Sequence, residues 1–178
     1  GKDFVYPDNF QDNIKNYFNA EKAESLLFIG FGIVAILLSI YFLFFLKEYF
    51  WKGLAIPLLL FSIVQIVIGT TIFVRSPKDH LQVENILKNE PQKIQTQEIP
   101  RMEKVMNNFV FYRYFEISMI FLGFVLMFAL SNYGFWKGFG LGLFIQCAVL
   151  LSLDFFAEKR GHFYMEHLQT IEISKNVN

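Results

Sequence analysis

The stretch FWKGFGLGLFIQCAVLLSLDFFAEKRGHFYMEHLQ, residues 135–169, decides how the chain is built. It has a weaker twin upstream. Sliding the sequence by 85 positions lays Phe50-Trp51-Lys52-Gly53 on Phe135-Trp136-Lys137-Gly138 and Arg75 on Arg160. Leu58/Leu143 and Val64/Val149 also coincide, so 7 of 26 positions are identical. Two residues further in offset, His80-Leu81-Gln82 meets His167-Leu168-Gln169. Self-similarity at a fixed spacing predicts one structural unit written twice. The division falls into repeat one, residues 1–90, and repeat two, residues 91–178. The second copy departs from the first at two chemically distinct places: Asp154 stands on Gly69, and Glu158 on Phe73.

The apolar residues lie in long blocks, and together with aromatics they raise mean hydropathy to +0.37, above that of an ordinary soluble domain. Ser25–Leu46 and Gly53–Val74 are charge-free runs of 22 residues, and Ile117–Trp136 is one of 20. At about 1.5 Å per helical residue each matches a hydrocarbon slab about 30 Å thick, which predicts three transmembrane helices. Gly138–Leu153 has only 16 residues. A fourth span over 138–157 must therefore borrow Asp154, which places this carboxylate near the membrane edge.

The fold class expected is an all-α membrane protein, a four-transmembrane-helix bundle of two parallel two-helix repeats. Each repeat is preceded by an amphipathic cytoplasmic helix. In the first, Phe10, Ile14, Tyr17 and Phe18 recur at helical spacing after an Asp8 and Gln11 cap. In the second, Met102, Val105, Met106 and Phe109 do the same. Pro77, Pro91 and Pro100 divide the segment between, where Val83, Ile86 and Leu87 suggest a short helix of their own. Thirteen of the 16 Lys and Arg residues fall on the side of the termini and central loop. That asymmetry predicts cytoplasmic N- and C-termini in a bacterial inner membrane or plasma membrane. The polar N-terminal 20 residues are not expected to be a cleavable signal. Gly138-x-x-x-Gly142, with Gly140 between, predicts close helix approach near the outer end, and Gly30, Gly32 and Gly123 are further candidates.

Net charge is zero, so no basic field points to a nucleic-acid partner. The single cysteine, Cys147, allows no intrachain disulfide and no cysteine metal site. Asp154, Glu158, His162 and Glu166 follow one another at i, i+4, i+8 and i+12, one face of a helix. Carboxylate and imidazole groups so arranged can hold a divalent metal when a second helix adds ligands, with Asp154, Glu158 and His162 as the set and Glu116, Glu24 or Glu103 as suppliers. No other cofactor is expected. The alternative is a structural charge cluster, with Tyr112, Arg113 and Glu116 on one helix meeting Asp154, Glu158 and Arg160 on another, and with Arg75 and Glu24 nearby. Its functional version is an anion-binding pocket with Arg75, Arg113 and Arg160 as donors.

Nucleophile elbows, phosphate-cradling loops and H-E-x-x-H zinc motifs do not occur in the sequence. The first functional reading is thus a non-enzymatic accessory, assembly or protective membrane subunit. Beside the lipid bilayer, its expected partner is another membrane or cytoplasmic protein, or a second copy in a homo-oligomer. One alternative is a membrane-interface enzyme or metal-binding protein acting on a lipid-like substrate. The other is a small transporter or oligomeric channel, hinted at by Gln65 and Gln146.

Overall fold

In the computed structural model, residues 9–176 are described, with side chains through Ile171. The expected Asp8 cap and the tail beyond lie outside that range, and α1 opens at Asn9 without a side-chain capping bond. Four long helices account for nearly everything: α1 (Phe10–Phe45), α2 (Tyr49–Asn89), α3 (Ile99–Ala129) and α4 (Gly134–Asn176). A single π-helical turn, Ile94–Glu98, leads into α3. The protein is all-helical, and each of these four helices is long and apolar enough to cross a membrane.

The helices do not stop at the membrane edge. The apolar stripe Phe10, Ile14, Tyr17 and Phe18 forms the first turns of α1 itself, and α2 continues through Pro77 to Asn89. The expected break at Pro77 is therefore corrected. Proline removes one intrahelical donor, but Val83, Ile86 and Leu87 beyond it are buried and hold the helix on course. The real stop comes at Glu90, whose N–H still bonds Ile86 O at 2.9 Å. Pro91 follows, and the residue before a proline is pushed out of the helical region.

Those extensions build a core outside the slab. Phe10, Ile14, Tyr17 and Phe18 from α1 pack with Val83, Ile86 and Leu87 from α2, Ile94 from the π turn, Ile99 and Met102 from α3, and Tyr164, Met165 and Leu168 from α4. All thirteen are buried, and burying one large apolar side chain contributes roughly 1.5–3 kcal/mol. In this polar-end cap all four helices share side-chain packing.

In the slab the packing is more selective. α2 lies along α1 and α4, and α4 along α3, while α3 meets the α1–α2 hairpin more sparsely, as where Phe115 faces Phe61 with ring centroids 6.4 Å apart. Span three also differs from expectation. α3 ends at Ala129, residues 130–133 make the turn, and α4 begins at Gly134, so the expected end at Trp136 moves back seven positions. Turn-forming Ser131, Asn132 and Gly134 explain the stop. Crossing about 30 Å from Ala129 takes about 20 residues, which reaches back to Val110. Arg113 and Glu116 are thereby drawn to the level of Asp154.

Glycines set the α2–α4 crossing. A Cβ on Gly53 would stand 1.9 Å from Phe135 O, and one on Gly138 would stand 2.0 Å from Phe50 O. The backbones touch reciprocally. Gly142 similarly admits Leu54 and Pro57, and Gly140 meets Gly123 on α3, whereas Gly30 faces nothing within 4 Å and has no packing role. Deeper in the same interface Gln146 Nε2 donates to Gln65 Oε1 at 2.5 Å, and Gln65 Nε2 donates to Phe28 O at 3.0 Å. Gly53→Ala and Gly138→Ala should each cost about 1–3 kcal/mol, the range for overfilling a packed contact. Gly30→Ala should be neutral or slightly stabilising. Thermal unfolding of the three variants in one detergent checks this, and equal melting of all three would contradict the crossing.

Candidate functional site

From the glycine crossing, α2 and α4 run toward the polar end on opposite sides of a cavity of about 290 Å³. α1 lines it with Tyr17, Glu21, Glu24 and Phe28, α2 with Val67, Ile68, Thr71 and Arg75, α3 with Asn108 and Tyr112, and α4 with Asp154 and Arg160. Running each helix inward explains the character of the walls. The positions toward the slab centre are apolar, because those runs must match lipid, and the charged residues sit where the runs end. One end is therefore ionic and the other oily.

Glu24, Arg75, Tyr112, Asp154 and Arg160, all singled out by the sequence, meet at this cavity. Arg160 Nη1 donates to Glu24 Oε2 and joins α4 to α1. Arg75 reaches Asp79 at 3.1 Å and Glu21 at 3.6 Å. The Glu24–Arg160 pair is incomplete: Glu24 Oε1 and Arg160 Nε are buried without a hydrogen-bond partner. Asp154 lies in hydrogen-bonding reach of Glu116, which is buried on α3 behind it, and Glu116 Oε2 has no partner. A hydrogen bond between two carboxyl groups requires a proton on one of them.

The remaining candidates point elsewhere. Arg113 Nη1 donates to both oxygens of Glu158 at 2.9 Å, on the far side of Asp154. That pair borders a second, shallower groove of about 460 Å³ with Asp154, Phe109, Ile117, Leu151 and Phe155. His162 is exposed, with Nε2 3.7 Å from Glu158 Oε1. Glu103 and Glu166 are exposed as well. Asp154 and Glu158 thus border one groove, and the exposed His162 meets only Glu158 of the two. Among the described residues no three His, Cys, Asp or Glu side chains gather as a metal-holding group.

Sequence reasoning missed a second polar network inside the cap. Glu98, buried, accepts from Arg101 Nη2 at 2.6 Å, Arg101 Nε at 3.0 Å and the Tyr164 hydroxyl at 2.9 Å. Ser76 Oγ donates to Glu21 Oε1 at 2.7 Å, and Arg101 lies 3.6 Å from Asp79. Tyr17 stacks flat on Tyr164 with ring centroids 4.1 Å apart. Burial first, and then the charge of Glu98, pushes the Tyr164 phenol above its ordinary range. Burial and then Glu21 do the same to Tyr17. Burial opposes the Arg101 charge, but Glu98 outweighs it and the net direction is upward. Burial also holds the Asp79 carboxyl above its ordinary range, against the pull of Arg101 and Arg75. A signal existed for one member: Glu21 stands on the stripe Ile14, Tyr17, Phe18 at the next helical position, an acid on an apolar face.

Together the fold and the cavity define the architecture of a multi-pass helical membrane protein with an ion-paired crevice at the slab's edge. No family model matches the chain, and neither a curated protein nor a solved structure matches it.

The Glu24–Arg160 link allows a direct check. Arg160→Met leaves Glu24 in a largely buried place without its cation, and the loss should approach about 3 kcal/mol, the order found on removing one partner of a buried pair. Arg160→Met with Glu24→Gln should recover at least half of that loss. Unfolding in mixed detergent measures both, and equal stability of single and double variants would show that the two side chains are not coupled.

Proposed function

We propose that this is a non-enzymatic polytopic membrane protein of the accessory, assembly or protective class, and that its working part is the crevice, which binds a lipid-like amphiphile. The excess of Lys and Arg on the side of the termini supports a cytoplasmic cap, so the crevice opens at the inner leaflet. The observation that carries the reading is the two-ended cavity: Glu21, Glu24, Arg75 and Arg160 at one end, Phe28, Val67 and Ile68 at the other. A soluble ligand has no use for the oily end, and a hydrocarbon has none for the ionic end. An amphiphile satisfies both. Pockets of about 300 Å³ and above are the usual size for small ligands, so the cavity suits a headgroup or one chain segment rather than a whole lipid.

Binding is favoured over turnover because the charged groups hold one another: Arg75 with Glu21 and Asp79, Arg113 with Glu158, Arg160 with Glu24. Such pairs orient a ligand, whereas a catalytic base or nucleophile has to be free to react. The groove along Phe109, Ile117, Leu151 and Phe155, which shares Asp154 with the crevice, offers entry from the bilayer, as a membrane ligand requires.

Filling the crevice tests this. Thr71→Trp combined with Val105→Trp places two large rings on opposite walls. Native mass spectrometry of the protein released from membranes should show the wild type carrying one amphiphile, and the doubly filled variant retaining at least tenfold less, about 1.4 kcal/mol. Thermal unfolding should confirm that the variant is folded. Equal retention by both would end the crevice reading.

A further inference from the structure

The crevice raises the question of which headgroup it accepts, and the answer rests on the amphiphile reading just given. Its lining holds three carboxyl groups, Glu21, Glu24 and Asp154, and two guanidinium groups, Arg75 and Arg160. A purely anionic head meets the carboxylates and is repelled by them. A purely cationic head meets both arginines. A head carrying both charges can set each against its opposite.

The hydrogen-bonding capacity narrows this further. Glu24 Oε1 is a buried acceptor without a donor, and Arg160 Nε is a buried donor without an acceptor, although the two residues pair through their other atoms. Behind the wall Glu116, only 4% exposed, also has a spare acceptor, and its carboxyl is tied to Asp154 on the lining. An unsatisfied buried polar group costs about 1–3 kcal/mol. The wall therefore asks for a ligand with N–H donors for the acids and an acceptor oxygen for the arginines. A primary ammonium beside a phosphate supplies both. A trimethylammonium carries the same charge but no N–H, and leaves the acceptors unsatisfied.

Two grooves leave the cavity as the acyl chains of such a lipid need. One, shared through Asp154 and Phe109, runs past Ile117, Leu151 and Phe155 between α3 and α4. The other, shared through Val67, Thr71 and Arg75, runs past Ile66, Thr70 and Val74 along α2. The first also carries the Arg113–Glu158 pair and the second Lys78, each on a wall otherwise mostly apolar.

We propose that the crevice is a site for a membrane phospholipid with a phosphoethanolamine head, its ammonium held by Glu24 and Glu21, its phosphate by Arg160 and Arg75, and its two chains along the flanking grooves. Recognition is by hydrogen-bond donors on nitrogen and not by charge alone.

The test uses the full chain in detergent, stripped of lipid, with native mass spectrometry as readout. The probes are phospholipids of identical chains whose heads are phosphoethanolamine, its mono-, di- and trimethylated forms, and phosphoglycerol. Affinity should fall stepwise with each methyl, by at least tenfold across the series, and phosphoglycerol should bind no better than the trimethylated lipid. Glu24→Gln should flatten the methylation series while leaving some binding, and soluble phosphoethanolamine should compete at least a hundredfold more weakly than the lipid. Equal binding of all heads, abolished by Thr71→Trp with Val105→Trp, overturns the headgroup assignment and leaves the crevice reading standing. Equal binding that survives the filled crevice overturns both. Competition by soluble phosphoethanolamine at the lipid's own concentration overturns the membrane as the source of the ligand.

Discussion

The backbone contact between α2 and α4 is the constraint on which the membrane part depends. Two hairpins, α1–α2 and α3–α4, are joined in the slab chiefly along this one interface. Lipid tails are as apolar as leucine, so helices in a bilayer gain little from hiding apolar surface and must gain from close approach. Gly53 against Phe135 and Gly138 against Phe50 provide that approach at the outer end. The Gln65–Gln146 bond continues it at the middle, where an unsatisfied amide in hydrocarbon would be costly. The contacts cross over, with position 53 meeting 135 and position 138 meeting 50.

A crossing at one end and a packed cap at the other leave space between. The cap gathers four helices around an ordinary hydrophobic core in water, where burial does drive association. Its buried Glu98–Arg101–Tyr164 network adds directional bonds, each of which is satisfied only in one relative placement of the π turn, α3 and α4. Helices pinned at both ends cannot close the interval where their side chains change from apolar to ionic. The crevice is the consequence of two incompatible ways of packing, one suited to lipid and one to water, meeting in the same four helices.

Much of this was legible in the sequence, and the parts that were not have physical reasons. Run length gave four spans because hydrocarbon thickness is a hard constraint that Ser25–Leu46 or Gly53–Val74 must match. Gly138-x-x-x-Gly142 announced the close interface, but Gly30 had the same composition and no partner, since only the three-dimensional crossing tells which glycine faces a backbone. Asp154, Glu24, Arg75 and Arg160 were readable as a group because each ends an apolar run on the same side. The helical stripe Asp154, Glu158, His162 misled as a metal candidate, because spacing fixes a face and not the neighbours of that face. Glu158 lies against Arg113 and Asp154 against Glu116, one turn apart. Pro77 hid the continuity of α2, since the packing that holds the helix lies six residues beyond the proline.

The shortened outer end of α3 binds these observations together. Ending at Ala129, the helix has too few apolar residues above Ile117 to cross, so Arg113 and Glu116 are carried toward the slab. A lone charge there costs about 2.5–3.5 kcal/mol even on insertion scales. α4 offsets that cost for Arg113, whose Nη1 donates to both oxygens of Glu158 at 2.9 Å, and it brings Asp154 to the level of Glu116. At an offset of 85 positions, Asp154 and Glu158 stand on Gly69 and Phe73. Both hairpins bring polar groups to this level, Glu21, Glu24 and Arg75 from the first and Asp154 and Arg160 from the second, and Asp154 borders the crevice beside them.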